Sequence, residues 1–129
     1  MKLARFFLLG FGLFALAFGL AYLLAPGAMM EPAGFDQLGA AATTDVRATY
    51  GGFQIGMGAF LVWASQSEDR HRAGLLLTFL SMAAVLFGRI LGISLDGELN
   101  EFHRMGLLFE ASLTVATFFV IRRRRALGA

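Results

Sequence analysis

The sequence predicts an all-α fold, an integral-membrane four-helix bundle with its N-terminus and C-terminus both in the cytoplasm. Three observations carry that expectation. Of 129 residues, 57% are hydrophobic and only 16% are charged, a balance too apolar for an ordinary water-soluble domain. The apolar residues gather into four stretches, each close to the roughly 20 residues that cross a bilayer as a helix, and short alternating segments of the porin type are absent. Lysine and arginine crowd the ends of those stretches on one side, as they do on the cytoplasmic face of membrane proteins.

The whole chain, residues 1–129, reads as a single transmembrane domain. Span one, about 6–24, carries no charge. Met1 to Arg5 resemble the basic start of a signal peptide, but the apolar run exceeds the usual 7 to 15 residues and no good cleavage site follows, so an uncleaved anchor is expected. Ala25-Pro26-Gly27 ends this helix, and the connection 25–44 contains enough apolar residues, Met29, Met30, Phe35 and Leu38, for a short interfacial helix. Thr44 or Asp45 supplies an N-cap for span two, about 46–66. Gln66 to Arg72 read as a tight polar turn in which His71 meets water. Span three covers about 73–95, Asp96 to Asn100 turn the chain back, and span four covers about 101–121.

Lys2, Arg5, Arg70, Arg72 and Arg122 to Arg125 define the cytoplasmic side, against Arg47 and Arg104 on the other. The outer loops are acidic through Glu31, Asp36, Asp45, Asp96, Glu98 and Glu101. The four terminal arginines directly follow an apolar span and read as an anchor at anionic lipid; nucleic acid is not an expected partner. Trp63 near the inner end of span two reads as an interfacial anchor. Small residues spaced for close helix contact are Ala48, Gly51, Gly52 and Gly56 on span two, with Gly88 and Gly92 on span three.

Two charges stand inside spans. Each costs roughly 2.5 to 3.5 kcal/mol at a helix centre and is seldom kept without a partner. Glu110 lies about 13 Å into span four by helix rise, and Arg89 about 9 Å from the end of span three. Helical side chains lean toward their own N-terminus, so in antiparallel neighbours these two lean to one depth, and a salt bridge is expected. Arg47, Tyr50, Gln54 and Gly58 share one helical face on span two, as His103, Gly106, Glu110, Thr114 and Thr117 do on span four. Arg47, Tyr50, Gln54, Arg89, His103 and Glu110 therefore form a candidate outward-facing polar pocket for the head of a lipophilic molecule. The same pair also reads simply as a clamp between spans three and four.

No catalytic residue, metal ligand set or cofactor site is expected. Cysteine is absent, one histidine near Glu101 and Glu110 is too few for a metal centre, and no serine is paired with a base. No phosphate-binding loop is present.

The stretch Thr44-Asp45-Val46-Arg47-Ala48-Thr49-Tyr50-Gly51-Gly52, then Gly56 and Gly58, the Gly88-Arg89 step and a glutamate early in span four resemble a bacterial four-helix membrane family, domain of unknown function family 4345. That family is in turn similar to the DoxX-like group. The resemblance covers nearly the whole chain and implies a multi-pass bundle in the bacterial inner membrane; it implies no activity, substrate or cofactor. Three functional readings stay open. The first is a non-enzymatic protein, either an accessory subunit of a larger membrane complex or a binder of a lipid or quinone-like molecule. The second is a membrane enzyme of isomerase type, with Glu110 and His103 as acid and base on a sterol-like, quinone-like or isoprenoid substrate. The third is a small transporter, which the lack of ionisable groups between Glu110 and the cytoplasmic end of the spans disfavours.

Overall fold

The computed structural model describes residues 2–35 and 37–126, of which residues 124 and 125 are described for backbone only. Asp36, Met1 and the side chains of Arg124 and Arg125, which entered the charge arguments above, lie outside the described set. Six α-helices follow in order: α1 (Lys2–Leu24), α2 (Pro26–Met30), α3 (Ala40–Val46), α4 (Phe53–Ser65), α5 (Glu68–Asp96) and α6 (Glu101–Ala126). A 3-10 turn, Glu31–Ala33, follows α2, and no strand occurs among the described residues. Among the described residues three helices are long and apolar enough to cross a membrane, over Lys2–Leu24, Glu68–Asp96 and Glu101–Arg123.

The expected second span differs from the sequence reading. Residues 40–65 are helical without a break, but Arg47–Gly52 form a π-helical segment between α3 and α4. The helix begins at Ala40 with Gly39 at the cap, not at Thr44 or Asp45. Thr44 instead turns its hydroxyl back to the Ala40 carbonyl, 3.1 Å away, as threonines inside helices do. The 25–44 connection does hold a short helix, α2, with Pro26 at its first position, where the missing N–H costs nothing.

The chain divides into two compact units, residues 1–71 and 72–129. In the first, α1 and α4 run antiparallel at backbone contact. A Cβ on Gly58 would lie 2.7 Å from the Gly12 carbonyl oxygen, and one on Gly19 would lie 2.8 Å from that of Gly51. The glycines that permit this are Gly12 and Gly19 on α1, and Gly51 and Gly58 on the facing run. Of the expected packing row only Gly51 takes part: Ala48 is exposed, a Cβ on Gly56 would meet nothing within 4 Å, and one on Gly52 only its own-helix Arg47 oxygen at 3.9 Å.

The widened π turn sets the Arg47-to-Gly52 stretch against the end of α1. Arg47 Nε donates to the Leu23 carbonyl at 3.1 Å, answering one of the last carbonyls of α1, where a cation also suits the helix dipole. Tyr50 stacks on Tyr22, ring centroids 5.3 Å apart, and the Tyr22 hydroxyl donates to the Met29 carbonyl. Tyr22, Met30 and Val46 form a small core there, with Phe18, Met29 and Leu38 around it.

The expected polar turn at 66–72 is shorter than the sequence suggested, because α5 starts at Glu68. His71 is consequently not in water. It is 2% exposed and its Nε2 lies 3.2 Å from the Ser65 carbonyl oxygen at the end of α4. A carbonyl only accepts, so Nε2 carries a proton there, and Nδ1 is buried without a hydrogen-bond partner. Trp63 is 49% exposed, with the Arg70 guanidinium 4.4 Å above its ring, a geometry that suits an interfacial position.

In the second unit α5 and α6 are antiparallel: Arg89 meets Glu110, and Phe79 meets Phe118 with centroids 6.4 Å apart. The connection is short and capped on both sides. Gly97 takes φ +72° and donates to the Ile93 carbonyl, closing α5 in the left-handed conformation glycine adopts without strain. Asn100 caps α6, its Oδ1 accepting from the His103 amide at 3.0 Å.

Candidate ligand cleft beside a buried ion pair

The site of the second unit starts from Glu110, 5% exposed on α6. Its carboxylate is gripped by the fork of Arg89: Nε lies 3.0 and 2.9 Å from the two oxygens, and Nη2 lies 2.5 Å from Oε1. The expected salt bridge is therefore present. At an effective dielectric near 20 such a pair attracts by about 4 kcal/mol, comparable with the cost of inserting one charge and not both. Further partners are needed, and α6 provides them. Arg89 Nη1 stands 3.2 Å from His103 Nδ1, the Arg89 carbon Cζ lies 5.7 Å from the centre of the Phe102 ring, and the Glu110 backbone oxygen accepts from Thr114 at 2.7 Å.

Gly106 makes room for the fork. A Cβ there would come within 2.6 Å of Arg89 Cζ, so the guanidinium lies flat over the α6 backbone between His103 and Glu110. Gly106 belonged to the polar face of span four in the sequence, where its role as the floor under the arginine was not visible. Arginine has five donors and no acceptor, so His103 Nδ1 must accept and the imidazole proton sits on Nε2. The ion pair thus sets the tautomer of a histidine two turns before Glu110 on α6.

His103 and Arg89 border a cleft of about 320 Å³ in the α5–α6 hairpin. Val85, Gly88, Gly92 and Ile93 form its apolar side along α5, and Asp96 and Glu98 its acidic rim at the connection. Gly88 and Gly92 contribute space. A Cβ on Gly88 would meet nothing within 4 Å, and one on Gly92 only the Asp96 carboxylate at 4.0 Å.

Of the six expected pocket residues, Arg89, His103 and Glu110 are brought together here. Arg47, Tyr50 and Gln54 belong to the first unit, where Arg47 and Tyr50 engage the end of α1 and Gln54 is half-buried on α4. Among the described residues no group of three or more histidine, aspartate or glutamate side chains is placed to hold a metal ion. The family described as domain of unknown function (DUF4345) matches residues 3–121 of the chain. No curated protein and no solved structure matches it.

Proposed function

The chain belongs to the DUF4345 family, and on that premise we propose that it is a non-enzymatic, multi-pass protein of the bacterial inner membrane that holds a small lipophilic molecule by its polar head beside Arg89 and His103. The bundle has four crossings, with residues 40–65 as the second, and both termini in the cytoplasm. The basic residues at 2, 5, 70, 72, 122 and 123 support that orientation, and the acidic α5–α6 connection belongs to the outer side. Exposed Phe87, Leu95, Leu108 and Phe119 support a lipid-facing surface.

The observation that carries the binding reading is the cleft itself, an apolar floor meeting a polar pair held in one geometry. Glu110 supports binding over acid–base chemistry, because both its oxygens are taken by Arg89 and only 6% of its side chain is accessible. Native mass spectrometry of gently extracted protein tests this. The parent should carry a lipophilic adduct that Gly88→Leu, which fills the cleft, loses. An adduct retained in that variant, or none in the parent, would refute the reading. Because the chain has no native cysteine, single cysteines at positions 67 and 97 report the orientation. An impermeant maleimide added outside should label only the second.

A further inference from the structure

The cleft has one imidazole donor, two carboxylates on its rim and a guanidinium whose charge is already answered. Arg89 sits in a double contact with Glu110, so it is not an unpaired cation waiting for a phosphate. Asp96 and Glu98 leave the cleft with an excess of negative charge, which repels an acidic head. His103 presents Nε2–H as a donor, since Arg89 occupies Nδ1. A cationic amine would satisfy the carboxylates and leave that N–H unanswered, whereas a hydroxyl does both jobs: it accepts from His103 and donates to a carboxylate.

From Asp96 to Val85 the cleft follows α5 for about 16 Å by helix rise, over a floor opened by Gly92 and Gly88. Its 320 Å³ lies at the small end of the roughly 300 to 1,000 Å³ typical of ligand sites, which suits one chain and a small head.

Building on the binding role assigned to this cleft, we propose that its ligand class is the uncharged lipophilic alcohol, a single apolar chain ending in a hydroxyl that is read by His103 Nε2–H and the rim carboxylates. The test compares three probes with one tail, oleyl alcohol, oleic acid and oleylamine, by thermal unfolding of the full-length protein in detergent at neutral pH. Oleyl alcohol should raise the midpoint most. His103→Phe, which keeps a ring but removes the donor, should weaken the alcohol by roughly three- to tenfold, the range of one hydrogen bond. Gly88→Leu should abolish its effect while leaving the ion pair in place. Oleic acid or oleylamine binding as tightly as the alcohol would overturn the selection of the head and leave lipophile binding standing. No response to any of the three would overturn both. An alcohol effect unchanged in His103→Phe and Gly88→Leu would remove the site from this cleft.

Discussion

In the first unit α1 and α4 meet backbone to backbone, Gly58 against Gly12 and Gly51 against Gly19. In the second, α5 and α6 meet through side chains, with Arg89 and Glu110 paired above Gly106. Helices that lie in lipid cannot rely on the hydrophobic effect to meet, because the surroundings are as apolar as leucine. The glycine contact gains dispersion over many atoms and offers no polar group to a ligand. The ion pair gains less net energy for its cost, and it leaves an oriented histidine beside a cleft. The difference teaches where chemistry can reside in so small a chain: the hairpin that carries the expensive charges is the one with a recognisable site.

The largest effect should come from unpairing those charges. Glu110→Gln or Arg89→Leu alone should destabilise the protein by about 3–5 kcal/mol, read as a lower unfolding midpoint in detergent, because each leaves a buried charge unmatched. Gly58→Ala should follow at about 1–3 kcal/mol, since its Cβ would sit 2.7 Å from the Gly12 carbonyl oxygen, and backbone cannot step aside as a side chain can. Gly106→Ala sharpens the contrast. It should cost about 1 kcal/mol by lifting the Arg89 fork off its carboxylate, and that cost should vanish once residue 89 is leucine. Smallest of all, Gly88→Ala should be neutral or stabilising by up to about 1 kcal/mol, because a helix prefers alanine and nothing stands within 4 Å of the added carbon. A loss above 1 kcal/mol there would mean that Gly88 serves as a helix contact after all.

The second hairpin was the more legible of the two in sequence, for a physical reason. A charge in an apolar span is expensive, so Arg89 and Glu110 announce each other, and helix direction sets the depth at which they meet. Glycine carries no such signal. Gly12 and Gly19, like Gly51 and Gly58, are seven residues apart, two turns on one face, yet they stand among 16 glycines, where the four-residue rows are the denser pattern. The π-helical segment was also hidden, because Arg47 to Gly52 read equally well as an α-helical face; only the wider turn shows that Arg47 and Tyr50 address the end of α1. His71 is buried although it stands in a run of polar residues typical of a turn, because the charged Glu68 and Asp69 begin a helix, where acidic side chains suit the N-terminal dipole.

The pairing of Arg89 with Glu110 is best tested by a double-mutant cycle, with thermal or denaturant unfolding of the parent, Arg89→Leu, Glu110→Gln and the double variant. The double variant should recover much of the loss of either single one, with a coupling of about 2–3 kcal/mol. Two single losses that add without coupling would contradict a shared ion pair and remove the support from His103 and the cleft beside it.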